Sequence, residues 1–262
     1  MYETLIVEEK DYILYVGLNR PECRNAFNPQ MIEDLTNFFL TANKSSARAI
    51  YLYGQGKAFC SGADLNWMKS MKDFSEEENI QDALQLFNMF KAGLSCKLPI
   101  IGHFHKYVMG GAIGLASICD IALAETDTNF CFSEVLLGLA PAVISPFVLN
   151  KMQKSFVRQY TLTGEQFSEN IAMKSGLIQF CGSKQEVKDY AKILFTQFKK
   201  AEPNAVKKTK KLLQHIQNIN ELEDIKYEAA RIIASLRVSK EGQEGLEAFF
   251  NQSIPEWKII EE

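Results

Sequence analysis

The chain has 262 residues, of which 47% are apolar and 23% charged, and its net charge is −3. That length buries a sizeable core without staples, and the balance excludes disorder, collagen and coiled coil. With no global positive field, nucleic acid is not expected as a principal partner.

Met1–Lys10 carries Glu3, Glu8 and Glu9 and lacks the basic-then-apolar design of a leader, so a cytoplasmic location is expected. Leu5–Val7 and Ile13–Leu18 are β-rich runs around the charged Glu8–Asp11 and read as a hairpin. Asn28-Pro29 opens a helix with Met31, Leu35, Phe38 and Phe39 at helical spacing. Ala49–Leu52 is a short buried strand, followed by a loop punctuated by Gly54, Gly56 and Gly62. Ser75-Glu76-Glu77-Glu78 is a capping-box pattern, and the helix it opens places Ile80, Leu84, Phe87 and Phe90 on one face. Pro99-Ile100-Ile101 starts a strand. Gly110-Gly111 then leads into an apolar helix, Ala112–Cys119, and Asp120–Ala124 and Asn129–Phe132 read as strands. Val135–Asn150 is the longest uncharged stretch. It falls short of the ~20 residues of a spanning helix and contains Pro141 and Pro146, so no membrane association is expected. From Ile144 the chain reads as one helix through Tyr160.

Strand–strand–helix units with glycine-rich loops argue for an α/β class. Near residue 185 the texture changes to amphipathic helices rich in Lys and Glu: Lys184–Lys200, Asn204–Gln217 and Glu221–Val238. The expected organisation is therefore an α/β core over residues 1–185 and a helical region over 186–262, whose apolar faces must pack on the core or on another subunit.

Most chemistries find little support. The six cysteines (Cys23, Cys60, Cys96, Cys119, Cys131, Cys181) include no CxxC pair and read as reduced, buried small hydrophobes. Gly54-x-Gly56-Lys57 lacks the spacing of a phosphate loop, and Gly110-Gly111-Ala112-Ile113-Gly114 is not a dinucleotide fingerprint. His103 and His105 share one face of a strand as partly exposed side chains, without ligands at metal spacing, so no metal is expected; His215 reads as solvated. No nucleophile elbow occurs, and Ser117 lies inside an apolar helix. Two acids stand out. Asp64 follows Gly62-Ala63, and Glu134 lies among Phe130, Phe132, Val135, Leu136 and Leu137. An acid in apolar company has its pKa pushed upward, which suits general acid–base work. A buried acid capping a helix accounts for the pattern equally well.

Ala58-Phe59-Cys60-Ser61-Gly62-Ala63-Asp64-Leu65, Gly110-Gly111, Cys119-Asp120-Ile121 and Phe132-Ser133-Glu134-Val135-Leu136-Leu137-Gly138 stand in the order of one family. With Leu18-Asn19-Arg20-Pro21 and Ser239-Lys240-Glu241-Gly242 they extend over nearly the whole chain, which thereby resembles the crotonase (enoyl-CoA hydratase/isomerase) superfamily. The resemblance implies a spiral of ββα turns with a helical tail that builds trimers or hexamers. It implies an acyl-CoA substrate, with coenzyme A as part of the substrate and no other cofactor. It places an oxyanion hole at the backbone N–H groups of Ala63 and Gly111, the acid–base group at Glu134, and CoA or substrate contacts at Arg24, Ser61, Asp64, Leu65, Gly110, Gly114 and Ala142.

Two-glutamate hydratases of the family carry a second glutamate where this chain has Gly114, so hydration by Glu134 alone is expected, with single-glutamate isomerisation as the alternative. The segments Ala63–Met68 and Leu139–Val148 look like those of bacterial methylglutaconyl-CoA hydratases, which points to a short or branched enoyl-CoA. Some relatives of those enzymes bind RNA. The single basic run here, Lys207-Lys208 with Lys210-Lys211, lacks interleaved aromatics and reads as a solvated helix face.

Overall fold

The computed structural model describes residues 2–216, 219 and 221–259. Gln217, the expected end of one helix, lies outside them. The chain forms two compact units, Met1–Ala191 and Lys192–Glu262.

The first unit begins with the hairpin β1 (Leu5–Lys10) and β2 (Ile13–Leu18), turned by Asp11 and Tyr12, both at positive φ. Helix α1 (Pro29–Thr41) follows. Asn28 accepts the N–H of Met31, Pro29 takes the first turn, and Leu35, Phe38 and Phe39 are buried. Strand β3 (Ala49–Gly54) leads through a loop to α2 (Leu65–Ser70) and α3 (Glu76–Leu94), which opens on the Ser75/Glu78 capping box.

Next come β4 (Ile100–Phe104), β5 (Tyr107–Met109) and α4 (Gly111–Ile118), then β6 (Ile121–Glu125), β7 (Asn129–Cys131) and a 3-10 turn, Ser133–Leu137. Helices α5 (Ser145–Lys151) and α6 (Lys154–Thr163), strand β8 (Phe167–Ser168), α7 (Glu169–Lys174) and β9 (Phe180–Gly182) complete the α/β part. Helix α8 (Lys184–Lys200) crosses into the second unit. There α9 (Pro203–Ile216), α10 (Leu222–Arg237) and α11 (Lys240–Phe250) follow.

The strands form a six-stranded sheet, β1-β2-β3-β4-β6-β9, parallel except for the hairpin, and a three-stranded sheet, β5-β7-β8. Successive turns of chain place one strand in each sheet and then a helix or 3-10 turn: β4, β5, α4, then β6, β7, Ser133–Leu137. The turn before them does the same, because Cys60 bridges Val108 of β5 in parallel. This is the spiral of ββα turns that the resemblance implies. Phe59, Phe90, Phe104, Phe130 and Phe132 fill its core without measurable exposure.

Several expectations are corrected. The helix anticipated over Ile144–Tyr160 is two helices. Met152 turns extended as its side chain enters the core, and the N–H of Gln153 leaves to bond Ser175 O at 2.8 Å. The apolar face expected along α3 is covered only at its C-terminal end. Phe90 is buried and Phe87 packs on the core, but Ile80 and Leu84 are exposed. The two-residue β8, three-residue β5 and β9, and helices α2, α7 and α11 were too short or too irregular to stand out in the sequence. Of the cysteines, Cys23 and Cys181 are half-buried, and all six are free thiols. Lys210 is buried, so the basic run is not a wholly solvated face. In the second unit Val238, Phe249 and Phe250 are each more than 70% exposed. No helix among the described residues is long and apolar enough to cross a membrane.

Candidate active site

The site is built where two loops leave the sheets side by side. The first is pinned by Asn25, which has no solvent exposure. Its amide nitrogen donates to the carbonyls of Gln55, Ala58 and Phe59 at 2.8–3.0 Å, and its oxygen accepts the N–H of Arg20. The chain then runs through Ser61 to Gly62, whose φ of +97° is open only to glycine without strain. The N–H of Phe27 bonds Gly62 O, and that of Asp64 bonds Phe27 O, fixing Ala63 between them. Asp64 caps α2 by accepting the N–H of Asn66 at 2.8 Å and pairs with Arg20 at 2.8 Å. Burial alone would raise its carboxyl, but the Arg20 and backbone hydrogen bonds outweigh it and hold the pKa below the usual range.

The second loop follows β5. The N–H of Met109 bonds Cys60 O and that of Cys60 bonds Tyr107 O, so the two loops share a ladder. Gly110 stands at φ +52°, ψ −120°, and Gly111 begins α4. The N–H groups of Ala63 and Gly111 donate to no protein acceptor among the described residues. The N–H of Gly111 belongs to the first turn of a helix, where backbone donors are left free and the dipole favours negative charge.

Glu134 enters from the 3-10 turn after β7 and lies against Gly110, where a Cβ would come within 3.2 Å of its Oε1. Its Oε2 is buried with no hydrogen-bond partner. Burial pushes its carboxyl above the usual glutamate range, the bond from its own N–H offsetting this only in part. Loops and carboxylate line one cavity of about 380 Å³, within the range of small-molecule sites. The remaining walls are largely apolar, with Trp67, Met68 and Met71 following the first loop, Ala83 and Leu86 on α3, and Leu137 and Leu139 after Glu134.

Of the residues singled out in the sequence, Ser61, Ala63, Leu65, Gly110, Gly111 and Glu134 line this cavity, and Asp64, Arg24, Gly114 and Ala142 do not. Asp64 holds the first loop in shape. Arg24 is exposed beside it; its carbonyl accepts the N–H of Ser61, and its guanidinium lies over the Tyr107 ring. Ala142 is an exposed turn residue between two lining residues, Pro141 and Val143. Gly114 is buried beneath the cavity, and a Cβ there would come within 2.6 Å of Phe90 and 2.9 Å of Ile144. The space a second carboxylate would occupy is filled by an aromatic ring. Sequence reasoning missed Trp67 and Asp82, whose side chains meet at 3.2 Å, indole N–H to Oδ1. Asp82 sits in a run of polar helix residues that reads as solvated.

One histidine is also corrected. His103 is buried, not partly exposed. Burial holds its pKa down to about 4, against the pull of Glu125. As a neutral ring it accepts the Tyr51 hydroxyl at Nδ1 (2.6 Å) and donates from Nε2 to Glu125 (3.0 Å), which satisfies both nitrogens. These residues border a second cavity of about 230 Å³. His215 is exposed and pairs with Glu228 at 2.8 Å. Cys60 is buried, with its thiol pushed up to about 12, so it offers no thiolate. No group of three or more His, Cys, Asp or Glu side chains among the described residues is placed to hold a metal ion.

Residues 8–259 match the family described as enoyl-CoA hydratase/isomerase. A Legionella pneumophila structure provisionally described as an enoyl-CoA hydratase/isomerase (crotonase) is 38% identical, over 97% of this chain and 98% of that one, with a TM-score of 0.89. The enoyl-CoA hydratase of Shewanella pealeana is 31% identical over 98% and 97% of the two chains, with a TM-score of 0.93. The 2,3-dehydroadipyl-CoA hydratase of Escherichia coli is 27% identical over 97% of this chain and 98% of its own length.

Proposed function

The chain belongs to the enoyl-CoA hydratase/isomerase family, and from that premise we propose that it adds water across the conjugated double bond of a short or branched enoyl-CoA. The observation that carries this reading is Glu134, a half-buried carboxylate with one buried, unpaired oxygen, raised basicity and a place in the same cavity as two free backbone donors. The thioester oxygen accepts the N–H groups of Ala63 and Gly111, and the charge that builds on it during reaction is met by donors that need not reorganise. Glu134 takes a proton from water as the water oxygen bonds Cβ. The resulting enolate collapses as Glu134 returns that proton to Cα. The carboxylate ends as it began, which is how one acid serves where Gly114 supplies none.

Arg24, Ser61 and Leu65, grouped along the first loop, are suited to the CoA moiety, with Arg24 toward its phosphates. The 3-methylglutaconyl group suggested by resemblance ends in a carboxylate, for which the cavity has no Lys, Arg or His among the described residues. The acyl group we propose is uncharged. Assembly as a trimer or a dimer of trimers would cover Val238, Phe249 and Phe250. The buried Lys210 weakens an RNA-binding reading.

A single carboxylate also suits isomerisation, in which one base moves a proton between two carbons, and the Phe90 ring over Gly114 favours that as the second reading. Crotonyl-CoA and 3-hexenoyl-CoA in H₂¹⁸O separate them. Hydration puts ¹⁸O into the 3-hydroxyacyl product, whereas isomerisation converts 3-hexenoyl- to 2-hexenoyl-CoA without label. Unlabelled 2-enoyl product alone would overturn the hydratase reading.

A further inference from the structure

Apart from Glu134, the cavity wall carries one charged side chain, Asp82, and no cationic side chain among the described residues. Asp82 projects from α3 between the apolar wall residues Ala83 and Leu86 on its own helix and Trp67, Met68 and Met71 on the other side. It is held in place, because the buried Trp67 donates its indole N–H to Oδ1 at 3.2 Å. That hydrogen bond leaves the carboxylate's charge uncompensated, since an indole supplies a dipole and no counter-ion. An uncharged acyl chain entering here meets Met, Leu, Ala and Trp surfaces and gains from their burial. A chain ending in a carboxylate meets the same apolar surface, loses its hydration, finds no partner, and faces Asp82 and Glu134 as like charges.

We propose that Asp82 is a specificity-determining residue that excludes enoyl-CoAs bearing a terminal carboxylate and confines the enzyme to uncharged acyl groups. The proposal rests on the acyl-CoA reading of this cavity, not on which reaction occurs there. Two like charges about 8 Å apart in a medium of effective dielectric near 20 disfavour one another by roughly 30-fold, which sets the scale of discrimination expected.

The test is calorimetric titration with butyryl-CoA and glutaryl-CoA, saturated ligands that differ in the terminal carboxylate and do not turn over. Wild-type protein binds butyryl-CoA about 30-fold more tightly or better. Asp82→Asn keeps an acceptor for Trp67 and removes the charge, and the ratio of the two Kd values falls at least about tenfold. Asp82→Ser also removes the charge while leaving an oxygen on the same wall position, so it carries the test if Asp82→Asn does not fold. Equal binding of the two ligands by wild type, or an unchanged ratio in the folded variants, overturns the proposal. Turnover of crotonyl-CoA by wild type is measured in parallel. Its absence would remove the hydratase reading and leave the binding ratio to decide the role of Asp82.

Discussion

Glu134→Gln separates the chemical work of the carboxylate from its burden on the fold. The amide keeps the shape of the side chain and its place against Gly110, and removes the basicity. General acid–base groups contribute typically 10²–10⁴-fold, so kcat on the best enoyl-CoA should fall by ~10²–10⁴-fold, or roughly 2.7–5.5 kcal/mol of barrier. The backbone donors at Ala63 and Gly111 remain, so Kd for a saturated acyl-CoA should stay within a few-fold of wild type. Stability should move the other way. Burial raises the folded-state pKa of Glu134 above its unfolded value, so the group's favourable contribution is complete below the unfolded value and is lost as pH rises through the folded one. Once pH exceeds the folded value, the wild-type protein carries that cost and the glutamine variant does not. Each kcal/mol relieved raises the melting midpoint by roughly 2–4 °C, and the gap should close as pH approaches the usual glutamate range. Wild-type kcat/KM should lose activity toward acid along a limb displaced upward from that range. Near wild-type turnover in Glu134→Gln, or a melting midpoint that stays below wild type as pH is raised, would refute the assignment of Glu134 as an unpartnered catalytic base.

Gly110→Ala forces a side chain into φ +52° and a Cβ to 3.2 Å from the catalytic carboxylate, so it should cost about 1–3 kcal/mol of stability and at least about tenfold in kcat, checked by thermal melts and turnover together. His103, held down to about 4, contributes stability that is complete above its unfolded value and is lost as pH falls toward 4. His103→Gln should therefore flatten the acid side of the stability profile between about pH 6.5 and pH 4, read from urea midpoints at several pH values. A variant profile as steep as wild type would show that another group carries the acid limb.

Much of this architecture is legible in the sequence because local chemistry and tertiary packing agree there. Asn28-Pro29 and Ser75/Glu78 cap the helices they were expected to cap, and the lone acid among Phe130, Phe132 and Leu136 lies in the cavity beside the two loops. The misses have physical causes. Strands of two or three residues such as β8 and β9 are held by neighbours distant in sequence, so no periodicity marks them. Met152 breaks an apolar run that reads as one helix because its side chain is drawn into a core the sequence does not display. Asp82 is indistinguishable from the solvated acids before it, since what sets it apart is the indole of Trp67, fifteen residues earlier. His103 looked partly exposed because its partners, Tyr51 and Glu125, lie on flanking strands that only the sheet brings beside it.

The Phe90 ring over Gly114 also bears on how this chain could change over generations. A second glutamate at position 114 is blocked while Phe90 stays, because the new Cβ would come within 2.6 Å of the ring. Trimming Phe90 first leaves a void in the core, which typically costs about 3–5 kcal/mol for a Phe→Ala change. Each single step is thus deleterious in the absence of the other. A two-carboxylate site is therefore reached only when both positions change together, a barrier raised by core packing and not by the chemistry of the site.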